Sequence, residues 1–107
     1  MTVLVDAENV RRSRWPNLSR QELVERARAW AKREGVALVV VFDGPPPERA
    51  PDLVEGVPTA DDWLAEHARE HRPYRLVTSD RELRRRAGGD AEEIVGGGSF
   101  LARIAPG

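Results

Sequence analysis

The sequence predicts an α/β fold built on a small, mostly parallel, doubly wound sheet, and three observations predict it. Apolar, β-branched runs such as "TVLVD" and "VALVVVF" lack the alternation of a half-exposed strand and read as strands covered on both faces. Segments of helical periodicity separate these runs, and alternating strands and helices imply right-handed parallel crossovers. The third observation is chemical: the runs stop at carboxylates, Asp6, Asp43 and Asp80.

Each element has its own signal. "TVLVD" is the first strand and ends at Asp6. "SRQELVERARAWAKREG" carries Leu23, Val24, Ala27, Trp30 and Ala31 at helical spacing, with Ser19 and Glu22 in a capping-box pattern and Gly35 where a helix would stop. "VALVVVF" then completes a β-α-β unit. "GPPPERAPDLVEGVP" cannot be helical, because its prolines fix φ and remove donors, and it reads as a loop holding one short strand near Leu53 to Val57. "TADDWLAEHAREH" is a helix capped by Thr59 and ended by Pro73, "YRLVTS" a strand, "DRELRRRAGG" a short helix closed by glycines, "EEIV" a last strand and "SFLARIA" a terminal helical turn.

At 107 residues the chain is sized for one core, so residues 1–107 are expected to form a single domain. Seventeen Lys and Arg against 18 Asp and Glu leave a net charge of -1, so any nucleic-acid surface must be local. With no cysteine, thiol nucleophiles, disulfides and thiolate metal sites are excluded. "MTVLVD" enters a strand without an export signal and no apolar run is long enough for a bilayer, which predicts a soluble, cytoplasmic domain without a membrane partner.

In a doubly wound sheet the ligand crevice lies beyond the carboxyl ends of the strands, which is where Asp6, Asp43 and Asp80 fall. Neighbouring strands lie about 4.8 Å apart. Two carboxylates at about 5 Å repel by roughly 3 kcal/mol at an effective dielectric near 20. One acid at a strand end is an ordinary cap or turn former, but three on one edge are costly unless a cation binds or a proton is retained. A fourth acid comes from the middle helix. At 100° per residue Asp61 sits at the margin of the apolar face and looks along the sheet edge, while Asp62 points away and suits the helix N-terminus, which makes it the second choice as a ligand. Hard oxygen ligands without His or Cys suit Mg²⁺ or Mn²⁺, and such a site fits phosphodiester hydrolysis. Asp6, Asp61 and Asp80 are the expected primary ligands, with Asp43 as a further acid.

"VDAEN", "VFDG", "TADDWL", "VTSDREL" and "GGGSFLARI", in that order, resemble the NYN family, in its YacP-like branch within the PIN-like nucleases. The resemblance covers Thr2 to Ile104 and implies a PIN-like three-layer α/β sandwich and a metal-dependent ribonuclease, endonucleolytic in action. By motif it places the family's acids on Asp6, Asp61 and Asp80, its asparagine on Asn9, which would orient a ligand or touch substrate, and a position of less defined role on Asp43. Thr78 or Ser79 would position an acid or a phosphate. The chain departs from the family pattern in being short, with a compressed Pro-rich segment from Gly44 to Pro58.

"RRSRWP" overhangs the proposed site, so Arg11, Arg12, Arg14 and Trp15 either hold phosphates and stack a base of single-stranded RNA or form a solvated loop whose tryptophan packs inward. Arg81, Arg84, Arg85 and Arg86 lie beside Asp80, where Arg81 in particular can attract a polyanion; the other reading is a charged helix face. "VGGGSF" either offers backbone N–H groups to phosphate or is a flexible turn. His67, His71, Trp30 and Trp63 fall on apolar helix faces and read as packing residues. The expected partner is RNA, free or presented by the ribosome or RNA-processing machinery.

Two other functions compete. A non-catalytic PIN-like module would bind RNA or protein without cutting, yet all the expected acids are present. A receiver-type phosphoacceptor domain would need a lysine after the last strand, whereas Lys32, the only lysine, lies in the first long helix.

Overall fold

The computed structural model of the chain describes residues 1–106. Five strands, β1 (Thr2–Asp6), β2 (Ala37–Asp43), β3 (Leu53–Gly56), β4 (Tyr74–Val77) and β5 (Glu93–Val95), form one sheet in the order β3-β2-β1-β4-β5, parallel throughout. Helices α1 (Ala7–Arg11), α2 (Arg20–Glu34) and α5 (Gly97–Ile104) are separated from α3 (Ala60–His67) and α4 (Arg81–Ala87) by the sheet. The side-chain period of the strands creates both cores: Val3, Val5, Val40 and Phe42 face one helical layer, while Leu4, Val41 and Leu76 face the other. This three-layer α/β arrangement is the one the alternating pattern predicts.

Local signals act largely as expected. Ser19 Oγ accepts from the Glu22 N–H at 3.1 Å and Gly35 adopts φ 67° at the end of α2. Only half of the capping box forms, because the Glu22 carboxylate turns to Arg26 Nη2 at 3.1 Å. Trp30 is buried and meets Phe100 edge-on, with ring centroids 5.2 Å apart. The Pro-rich segment is tied to α2 by Arg28, whose Nε and Nη2 reach the Asp52 carboxylate at 2.8 Å each and whose Nη1 reaches Glu48 at 2.7 Å.

Four features depart from the sequence reading. Ala7–Arg11, to which the sequence assigns no element, forms α1, and this helix takes in the first residue of "RRSRWP". β4 ends at Val77, two residues short of "YRLVTS", because the chain turns there to bring Thr78 back toward β1. Trp63 is half-buried and stacks on His67, with centroids 4.5 Å apart at 18°, so it closes the edge of a core. Finally, Gly97 and Gly98 belong to α5. A Cβ on Gly97 would lie 2.1 Å from Ser13 Oγ, so the glycine permits the close approach of α5 to the end of α1. No helix among the described residues is long and apolar enough to cross a membrane.

Candidate active site: an acidic cavity at the carboxyl edge of the sheet

The sheet order makes β1 central, with β2 and β4 on either side, and the chain changes winding direction at β1. In register, Val5 pairs with Val77 and Asp6 with Val41. Thr78 therefore follows the last β1–β4 pair, beside Asp6, and Asp43 extends two residues beyond the partner of Asp6. The start of α3 adds Asp61 and the start of α4 adds Asp80. All four acids line one open cavity of about 550 Å³, together with Glu8, Asn9, Arg12, Ser13, Ser79 and Gly98.

Protein hydrogen bonds hold three of these carboxylates by one oxygen each. Asp6 Oδ2 accepts from Thr78 Oγ1 at 2.9 Å, Asp43 Oδ1 accepts from the Ala60 N–H at 2.8 Å, and Asp80 Oδ1 accepts from the Leu83 N–H at 2.9 Å. Asp43 and Asp80 thus serve the first turns of α3 and α4 while lining the cavity. Each retains a second oxygen without a hydrogen-bond partner among the described residues. The ion pairs among the described residues include none of the four.

Their electrostatics follow from that isolation. Asp6 is 4 % exposed. Burial pushes its carboxyl up to about 7; the Thr78 hydrogen bond opposes this, and the charges of Asp61, Asp43 and Asp80 add to it. Asp61 is also raised, first by burial and then by Asp80 and Asp43, against the lowering effect of Arg86. Among the described residues no three carboxylates or imidazoles stand close enough to ligate a single ion directly. The donor set still suits a hard divalent cation: uncommitted carboxylate oxygens surround open space, and Mg²⁺ characteristically keeps water in part of its shell. Asp6, Asp43, Asp61 and Asp80 are the residues that could hold one.

The remaining predicted positions divide. Asn9 Oδ1 accepts from the Ser79 N–H at 2.8 Å, which fixes the amide and leaves Nδ2 uncommitted at the cavity wall. Ser79 Oγ accepts from the Gly97 N–H at 2.9 Å, joining α5 to the same wall. Thr78 is fully buried and orients Asp6 and the Asp80 N–H, so it has no access to substrate. Arg12 lines the cavity. Arg14 lies at its border, donating to the Gly98 carbonyl at 3.2 Å, and Trp15 projects into solvent.

Three of the expected positions stand apart from the cavity lining. Asp62 does not line the cavity: its Oδ1 pairs with Arg86 Nη2 at 2.9 Å, and it is the Asp62 backbone N–H that takes the cap from Thr59 Oγ1. Arg11, at the end of α1, turns back to Glu8 at 2.9 Å and to the Leu18 carbonyl at 3.0 Å, which removes it from the substrate side. Arg81 is exposed, lies outside the cavity lining and makes no ion pair among the described residues. Arg85 and Arg86 are spent on Glu82 and Asp62.

Sequence reasoning missed Glu8. It is buried, lines the cavity and receives Arg11 and, at 2.8 Å, Arg20. Burial alone would push Glu8 up, but the hydrogen bonds from Arg11 and Arg20 outweigh it and hold the group below its ordinary value. The available signal was the spacing of Glu8 to Arg11 and Arg12, three and four residues on, which is ion-pair spacing on a helix.

No protein-family model matches the sequence. None of the curated proteins matches it either. Among solved structures, the fold is similar to that in a crystal structure of a single-substitution variant of Rae1 (YacP) from Bacillus subtilis, with a TM-score of 0.77 and 20% identity, covering 97% of this chain and 74% of that one. The chain has the PIN-like α/β fold.

Proposed function

We propose that the chain is a metal-dependent ribonuclease that hydrolyses RNA phosphodiesters, endonucleolytically, at the acidic cavity. The observation that carries this reading is the gathering of four carboxylates around one open cavity without an arginine partner for any of them. A fold that only needed helix caps at these positions has no reason to leave so much negative charge uncompensated. A Mg²⁺ or Mn²⁺ ion bound there supplies charge neutralisation of the phosphate and activation of a water.

The chain's own residues supply position. Thr78 and the N-terminal turns of α3 and α4 hold Asp6, Asp43 and Asp80 by one oxygen each, which restricts their rotamers and leaves the other oxygens unbonded. Asp6, buried at the tip of β1 with one oxygen held by Thr78, has its other oxygen left to ligate the ion or to accept a hydrogen bond from the attacking water. Asn9 Nδ2 and Arg12 stand on the wall where phosphate oxygens would lie. In balance, water adds to phosphorus, one P–O ester bond breaks and the departing oxygen takes up a proton.

The test compares wild type with Asp6→Asn and Asp80→Asn on a mixed set of RNAs and single-stranded DNAs, with Mn²⁺ or Mg²⁺ and with EDTA. Asparagine at position 80 can still cap α4, so a fall in cutting without a fall in stability isolates the chemical role of the carboxylate. Expected is metal-dependent RNA cleavage that either substitution reduces at least about a hundredfold. Cleavage surviving both substitutions overturns the reading.

A further inference from the structure

We propose that the crevice beside Trp15 is a nucleobase subsite, receiving the unpaired base of the nucleotide next to the phosphate in the acidic cavity. This rests on the ribonuclease reading and adds to it that the strand must be single-stranded at that position. Trp15 is 88% exposed, whereas Trp30 is buried and Trp63 half-buried. Beside it, Pro16, Leu18 and Leu101 wall a crevice of about 230 Å³, with Arg14 and Arg26 also lining it. An apolar slot with an indole face matches a planar base, and Arg14, which gives one bond to the Gly98 carbonyl and pairs with no acid among the described residues, leaves positive charge for the adjoining phosphate, whereas Arg26 is paired with Glu22.

Placement ties this crevice to the cavity. Ser13 and Gly98 line the cavity, while Trp15, two residues beyond the first, and Leu101, three beyond the second, line the crevice. Three helical residues span about 4.5 Å, a step of the order of one nucleotide. The loop between is braced at both ends: Arg14 Nη2 is bonded to the Gly98 carbonyl, and Arg11 links Glu8 to the Leu18 carbonyl. Trp15 is thereby presented on a fixed support, and because every base has a π-face, stacking there tolerates any sequence but not a paired strand.

The test uses the Asp80→Asn chain, in which cutting is suppressed, and follows tryptophan emission on titration with a short oligouridylate, alone or annealed to its complement. Quenching by the single strand and not by the duplex is expected. Adding Trp15→Ala should remove the quenching and weaken binding about tenfold, while Trp15→Phe keeps most of the affinity. In the otherwise wild-type chain, Trp15→Ala should slow cleavage of the same single strand. If Trp15→Ala binds and cuts it as well as wild type while Asp80→Asn fails to cut, the base subsite is wrong and the nuclease reading stands; a seat for a protein side chain would give that result. Equal binding of the duplex also overturns the subsite. A wild-type chain that neither binds nor cuts RNA removes both.

Discussion

Thr78 Oγ1 donates to Asp6 Oδ2 across 2.9 Å and 72 residues of chain, and the same oxygen accepts the Asp80 N–H at 3.1 Å. One buried hydroxyl thus fixes an acid at the tip of β1 and the backbone that carries another after β4. Thr78→Val keeps the shape but removes both bonds. It should cost about 1–3 kcal/mol in chemical unfolding at pH 8 and less at pH 5, where Asp6 is protonated. Thr78→Ser should recover most of the loss. Equal stability of the valine variant at pH 8 would show that the bond holds nothing in place.

Asp6 makes a pH-dependent contribution whose sign is definite. Its carboxyl is near 7 in the folded chain against 3.8 for the free group, so between those values the folded state binds the extra proton. Stability from this group is full below about pH 4 and is lost as pH rises through 7. Asp6→Asn should therefore leave the melting temperature nearly unchanged at pH 4 and raise it at pH 8, by an amount corresponding to no more than about 4 kcal/mol. A difference between the two proteins that does not vary with pH would contradict the assignment.

Divalent ions should act on the same charge. Adding Mn²⁺ or Mg²⁺ at pH 8 should raise the melting temperature by mass action and EDTA should reverse it, at about 2.7 kcal/mol for ion at a hundred times its dissociation constant. Asp61→Asn should reduce the shift. A calorimetric scan indifferent to both ions argues against the cavity as a cation site.

Gly97 is required by its neighbours. Gly97→Ala sets a methyl against Ser13 Oγ, which cannot swing away without giving up its 2.8 Å bond to the Asn9 carbonyl. The expected loss is about 1–3 kcal/mol by denaturant unfolding. Combining it with Ser13→Ala should restore part of that loss, leaving the 3.2 Å contacts with the Cβ at position 13 and with Val10 Cα. Additive losses in the double variant would place the strain elsewhere.

Strand positions, their parallel pairing and the two-sided core were legible because apolar runs such as "VALVVVF" carry enough signal to define themselves. Helix α1 was not, since five residues cannot display a period. The start of α5 was hidden because glycine disfavours helix, and only contact with Ser13 explains it. In the candidate site, strand termini identified Asp6, Asp43 and Asp80, and helical angle separated Asp61 from Asp62. Angle could show that Asp62 points away, but not that Arg86 from another helix waits there. Glu8 escaped notice for a similar reason: its burial and its contact with Arg20 are tertiary facts.

The centre of the sheet is its first strand, flanked on one side by β2, the next strand made, and on the other by β4, which is synthesised much later. A growing polypeptide that has emerged only as far as β3 carries Asp6 and Asp43 but lacks Asp61, Thr78 and Asp80. Assembly of the four acids therefore waits for the chain to return to the middle of the sheet, when β4 pairs with the free edge of β1.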